Sequence, residues 1–194
     1  MTLAASASLA RRSEAWTRLR SCAAVLLLVA VPSMAQRPTE YDVKAAYLFN
    51  FGKFLRTPET NKRSSFDICV LGRYDFGVSL DRMTANEQNN GLPERAIKVA
   101  NATDARTCAI LFISNSEAAR VDQDITDLAG APVLTVSDMP HFLEHGGMIA
   151  FEMIENHVRF SVSLEPVNRA GLRLSSELLK VALAVSGTPK REVQ

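Results

Sequence analysis

The sequence predicts an α/β fold, with one domain in which helices flank a mixed β-sheet and a C-terminal β-hairpin is followed by a helix. Three observations lead to this fold class. Helical apolar spacing recurs near the start, middle and end of the chain, and short β-rich apolar runs separate these helices. One late segment alternates strictly between apolar and polar residues. Helices that alternate with strands in this way usually cover a shared sheet.

Residues 1–35 have the composition of a cleavable signal peptide. A basic region precedes the uncharged run Cys22–Val31, which is too short to cross a hydrocarbon core of about 30 Å as a helix. A proline and small residues follow, so we expect cleavage after Ala35 and export to the periplasm. The mature domain would be residues 36–194, with a core at about 40–186.

Removal of the signal peptide changes the charge balance. The whole chain has a formal charge of +1, whereas residues 36–194 contain 18 basic and 20 acidic residues. A slightly acidic domain has no electrostatic attraction for nucleic acid or for an anionic membrane surface. We expect neither as a partner. No other run reaches transmembrane length, so we expect no membrane insertion of the mature chain.

The elements of the first half follow from spacing and turn residues. Thr39 can cap a helix that begins at Glu40, and Pro58 ends it. The buried side of this helix is predicted to carry Val43, Tyr47, Phe51 and Phe54. Further elements are predicted as a strand at 66–72, a short helix at 76–83 and a short strand at 97–99.

The second half begins with the apolar run Cys108–Ser114, which is typical of a strand covered on both faces. Ser114 or Ser116 can cap the next helix, whose buried positions would be Val121, Ile125 and Leu128. Strands are predicted at 133–136, 148–154 and 157–164, of which the last two form the hairpin.

The last strand and the last helix show the clearest patterns. In the strand, one face is predicted to be buried and the other polar, the polar residues being Arg159, Ser161, Ser163 and Glu165. The final helix would be capped by Ser175 or Ser176, with a buried side made of Leu174, Leu178, Val181, Ala182 and Val185.

Two cysteines, Cys69 and Cys108, remain after cleavage. Export permits a disulfide, and an even number of cysteines fits one. Because 39 residues separate the two, the bond would close a long loop and stabilise the fold by about 3–4 kcal/mol. The alternative is a pair of small buried apolar side chains in strands.

One histidine cluster matches a zinc-peptidase pattern. His141, Glu144 and His145 have the spacing H-x-x-E-H, which would place both imidazoles on one face of a helix. A proline precedes the cluster and two glycines follow it, so barely one helical turn fits. A third ligand would have to be His157 or a scattered carboxylate. We therefore predict no catalytic metal and regard His141 and His145 only as weak candidates for metal binding.

Other catalytic patterns are absent from the sequence. It contains no G-x-S-x-G, no phosphate-binding glycine pattern and no C-x-x-C. We therefore predict neither an enzyme nor a cofactor.

Several motifs together resemble the YfiR family. The segment Val43–Phe54 is similar to the opening helix of that family. Further similar segments follow in the same order, at 68–72, 108–114, 134–138, 146–149, 158–160 and 170–179.

The resemblance implies a periplasmic repressor that binds the periplasmic domain of an inner-membrane diguanylate cyclase, and so lowers cyclic di-GMP and biofilm formation. It also implies a homodimer and a disulfide between Cys69 and Cys108. A second cysteine pair that some members carry is missing here. The family's partner surface corresponds to Ser161, Glu165, Val167 and Arg169, although better-known members carry Glu at the first of these positions.

An alternative function remains open. A periplasmic small-molecule-binding sensor that serves a histidine kinase or an outer-membrane receptor would have the same size, export signal and fold class. Binding to a cyclase domain would separate the two hypotheses.

Overall fold

The computed structural model describes residues 37–57 and 63–188. The predicted signal peptide and its cleavage site lie outside these residues. The structure confirms the fold class, since helices flank a mixed eight-stranded sheet. The helices are α1 (Glu40–Phe54), α2 (Ser79–Thr84), α3 (Val121–Asp127), α4 (Leu164–Arg169) and α5 (Ser176–Lys180).

Ten short strands accompany these helices. In chain order they are β1 (Leu55–Arg56), β2 (Phe66–Leu71), β3 (Gln88–Asn89), β4 (Leu92–Val99), β5 (Ile110–Ile113), β6 (Leu134–Ser137), β7 (Ile149–Ile154), β8 (His157–Ser163), β9 (Arg173–Leu174) and β10 (Ala184–Ser186).

The main sheet has the strand order β10-β8-β7-β6-β5-β2-β4-β3. The pairs β4–β2, β2–β5, β5–β6 and β6–β7 are parallel. Strand β3 pairs antiparallel with β4, and β8 pairs with β7 in the predicted antiparallel hairpin. Strand β10 returns to lie parallel to β8 at one edge. Strand β1, which follows α1, and strand β9, which precedes α5, form a separate antiparallel pair.

Helix α1 begins where the sequence predicts. The Thr39 hydroxyl accepts the Asp42 amide, and the Asp42 carboxylate accepts the Thr39 amide, so the two residues form a capping box. The buried face of α1 includes Leu48 and Phe51, neither of which is exposed to solvent. Burial of this face against the sheet, and not helix propensity alone, holds the helix in place.

Apolar layers cover both faces of the sheet because side chains alternate along each strand. In β2, Ile68 and Val70 face α1, whereas Cys69 and Leu71 face α3. The α1 layer is rich in aromatic rings: Phe51 lies 5.1 Å from Phe160 and 5.9 Å from Phe151, measured between ring centroids. Pairs at such distances stabilise beyond the area they bury.

The predicted final helix is shorter than expected. Ser175, one of the two residues predicted to cap it, is the N-cap. The helix ends at Lys180, and the chain then continues into strand β10. Ala184 pairs with Ser161, and Val185 pairs with Val162. Pairing with the open edge of β8 satisfies backbone groups that a longer helix would leave exposed at that edge. Val181 and Val185, predicted as buried helix positions, are therefore exposed.

Among residues 37–57 and 63–188, no helix combines the length and the hydropathy that crossing a bilayer requires.

Candidate functional site

The segment predicted to contact a partner runs from the end of β8 through α4. Ser161 and Val167 do not lie on its surface: Ser161 is 6% exposed, and Val167 is not exposed at all. Ser161 sits between Ala150 of β7 and Ala184 of β10, and its hydroxyl donates to Glu152. The predicted polar face of β8 is thus covered at Ser161, because β10 flanks this strand and a side chain from β7 reaches over it.

Glu165 and Arg169 form the exposed part of this segment. They lie one turn apart on α4, and the Arg169 guanidinium contacts the Glu165 carboxylate at 2.6 Å. Both side chains are well exposed, so the pair contributes at most about 1 kcal/mol to stability. Its charges remain available to a partner. Val167, on the opposite side of the short helix, anchors α4 in the α1 layer.

A cavity of about 390 Å³ lies between α4, α5 and the β1–β9 pair. Arg56 and Arg173 both line it and are directly opposite each other in the ladder. Like charges at directly opposed positions repel. Arg56 also donates to the carbonyl oxygen of Lys53, which limits its freedom. The lining also includes Glu177, so the residues around this cavity carry two guanidinium groups and one carboxylate.

The predicted disulfide is present. Cys69 lies in β2 and Cys108 lies two residues before the neighbouring strand β5, with their Cα atoms 6.1 Å apart. Both residues are buried, at 1% and 3% exposure. Arg63 donates to the backbone carbonyl of Cys108 and ties the preceding segment to this bond. The bond joins β2 to the residues just before β5, on the side of the sheet that α3 covers, and is shielded from bulk solvent.

A buried charged group near α1 was missed by the sequence analysis. The Lys44 ammonium lies 2.6 Å from Asp138 Oδ2 and also pairs with Glu40. The Tyr41 hydroxyl donates to the same Asp138 oxygen at 3.0 Å. Burial, together with the negative charge of Asp138, raises the pKa of Tyr41. The sequence signal that could have indicated this buried pair is the position of Lys44 within the apolar stripe of α1.

The histidine cluster does not form a metal site. His141 has a left-handed backbone (φ 60°), so no helix carries it and His145 on one face. His141 contacts Glu144 at 2.9 Å, whereas His145 contacts Asp122 of α3 at 2.6 Å. The hydrogen bond to Glu144 raises the pKa of His141. Within the part of the chain that the structure describes, no three His, Cys, Asp or Glu side chains are placed to hold a metal ion.

Comparison with known proteins yields a family and two similar folds. A family model described as YfiR/HmsC-like matches residues 41–183. A conserved domain protein from Vibrio cholerae O1 biovar eltor is similar in structure, with a TM-score of 0.51 and 11% identity over 76% of this chain and 60% of its own. The ABC domain in complex with L-Trp from Streptococcus pneumonia also has a TM-score of 0.51 and 11% identity, over 73% of this chain and 60% of its own. The chain thus spans about 60% of the length of both structures, and the likeness is one of fold.

Proposed function

Because the chain belongs to the YfiR/HmsC-like family of periplasmic, non-catalytic regulators, we propose that it binds and represses the periplasmic domain of an inner-membrane diguanylate cyclase. Repression would lower cyclic di-GMP and biofilm formation. The observation that carries the proposal is the family match, which covers most of the domain from α1 to the end of α5. The signal peptide and a homodimer belong to the same proposal.

The surface that we propose for the cyclase combines α4 with the edge strand β10. Glu165 and Arg169 supply opposite charges on α4. Leu183 and Val185, at 50% and 41% exposure, supply apolar area beside them. A patch of apolar side chains rimmed by charged ones is typical of protein–protein contact sites. Ser161 and Val167 would support this surface from inside and not touch the partner.

Repression requires only that the domain bind the inactive form of the cyclase's outer domain better than the active form. The difference in affinity determines how far the population shifts. A shift from almost fully active to almost fully inactive needs about 5.5 kcal/mol. An interface of ordinary size can supply a difference of this order.

The test is direct binding between the oxidised mature protein and the periplasmic domain of the cyclase. We expect saturable binding, measured by calorimetry, that weakens about tenfold when Arg169→Glu places two like charges on α4. Arg73→Glu is the matched control, because Arg73 also forms an exposed ion pair, with Asp75, far along the chain. Absence of binding by the oxidised protein, or equal losses in both variants, would contradict the proposal. Sedimentation of the free protein tests the homodimer.

A second candidate function is the binding of an anionic small molecule by a periplasmic sensor. The opposed guanidinium groups of Arg56 and Arg173 in the cavity between α4 and α5 favour it. Titration with inorganic phosphate and with citrate tests this function. We expect binding that weakens in Arg173→Gln; an unchanged affinity, or no binding of either anion, would remove the sensor hypothesis.

A further inference from the structure

A second cavity, of about 330 Å³, lies between α3 and α4. Its walls come from the end of α3 and the following turn, from the start of β6, from two residues that precede β7, and from α4. Ile125, Leu128, Val133 and Met148 make most of this lining apolar. Its volume is at the lower end of the range for small-molecule sites. It is therefore sized for a small ligand with an apolar body.

Three polar residues lie in this apolar lining: Thr126, whose hydroxyl donates to the Asp122 carbonyl, Thr135 and Arg169. Thr135 is 2% exposed; its oxygen accepts the Met148 amide at 3.2 Å, and among the hydrogen bonds of the described residues its own O–H donates to no acceptor. A hydroxyl can accept and donate at once, so a ligand oxygen in the cavity would give Thr135 a second hydrogen bond. At the rim, the long Arg169 side chain carries the one cation among the described lining residues.

We propose that this cavity binds a small apolar monocarboxylate. The apolar body would rest against Leu128 and Met148, and the carboxylate would accept hydrogen bonds from the Arg169 guanidinium. A guanidinium presents two parallel N–H donors, a geometry that suits a carboxylate better than a single neutral acceptor. Arg169 forms an exposed ion pair with Glu165, and such a pair contributes little to stability. Replacement of the Glu165 carboxylate by the ligand carboxylate therefore costs little free energy.

The lining also selects against amino acids. Among the described residues around the cavity there is no Asp or Glu side chain. The ammonium group of an α-amino acid would lose its hydration in an apolar wall without a counter-charge. A plain carboxylate of the same shape avoids this cost, so we expect it to bind more tightly than the corresponding amino acid.

The experiment titrates the oxidised mature protein with 3-phenylpropionate. L-phenylalanine and 3-phenylpropan-1-ol serve as comparison ligands, because they have the same apolar part and differ in the polar group. We expect 3-phenylpropionate to bind at least about tenfold more tightly than either. Arg169→Gln should remove that advantage over the alcohol, and Ala129→Leu, at an exposed position on the cavity wall, should weaken all binding by filling space. Arg73→Gln is the matched control and should change nothing.

Three results would overturn the inference. They are an absence of saturable binding at millimolar 3-phenylpropionate, an equal affinity for L-phenylalanine, and an affinity that neither Arg169→Gln nor Ala129→Leu reduces. Circular dichroism of each variant establishes that it is folded before titration. The measurement uses the domain alone, so it does not depend on whether a cyclase is the partner.

Discussion

Replacement of Lys44 with methionine removes the positive charge from a buried cluster while it preserves the length of the side chain and its suitability for a helix. Lys44 is 3% exposed, and its partner Asp138 is 10% exposed. The substitution leaves the Asp138 carboxylate buried without a cation, and one Asp138 oxygen already lacks a hydrogen-bond partner. Loss of one member of a buried pair costs about 3–5 kcal/mol.

Urea denaturation at neutral pH measures this cost. Domains of this size lose stability by about 2 kcal/mol per molar urea, so we expect the midpoint of Lys44→Met to fall by roughly 1.5–2.5 M. Asp138→Asn should cost less, about 1–3 kcal/mol, because Lys44 keeps its contact with Glu40 and the amide retains the shape of the carboxyl group.

The double variant provides the decisive comparison. Because it removes both buried charges together, its cost should be clearly smaller than the sum of the two single costs. Additivity within about 0.5 kcal/mol would show that the two side chains do not depend on each other. A loss below about 1 kcal/mol in Lys44→Met would equally refute the reasoning, because exposed pairs contribute no more than that.

Further predictions concern the disulfide, a close contact and a buried acid. Replacement of both Cys69 and Cys108 with alanine should lower the free energy of unfolding by about 4 kcal/mol, because the bond closes a loop of 39 residues; unchanged urea curves would contradict this. In Gly147→Ala the new Cβ would lie 2.3 Å from ring atoms of the fully buried Phe142, so we expect a loss of about 1–3 kcal/mol in the same assay. A urea midpoint equal to that of the wild type would show that the Phe142 ring moves aside without cost. Burial raises the pKa of Asp124, whose two carboxylate oxygens lack hydrogen-bond partners. Between the ordinary value of 3.8 and the raised pKa, the native state binds more protons than the unfolded state, so wild-type stability falls as pH rises through that window. Asp124→Asn should lose this slope and be about 1–2 kcal/mol more stable at neutral pH; parallel pH profiles would disprove the assignment.

Elements with a local cause could be predicted from the sequence. Thr39 and Asp42 cap α1 through groups three residues apart, and the turn at Glu155 and Asn156 followed by the alternating segment β8 indicates the hairpin. The helix after Ser114 differs in detail: a 3₁₀ segment, Asn115–Arg120, precedes α3. The disulfide was also predictable, because residues 36–194 contain two cysteines and therefore allow one pairing.

The candidate surface could be predicted only in part. Glu165 and Arg169 are exposed as expected, whereas Ser161 and Val167 are buried. Alternation along β8 indicates which residues share a face, but it does not show what covers that face. The cover comes from Glu152 and from β10, which lies more than twenty residues later in the chain.

The sequence by itself determined the α/β class, the hairpin and the cysteine pair, because each depends on spacing or composition that can be read along the chain. Only the tertiary structure decided that Lys44 meets Asp138 across 94 residues, that the chain after Lys180 becomes an edge strand, and that Thr135 and Arg169 line one cavity. The physical reason is the same in each case. Burial of a charge, pairing at a sheet edge and the lining of a cavity all depend on which distant segments pack together, and local periodicity carries no information about that packing.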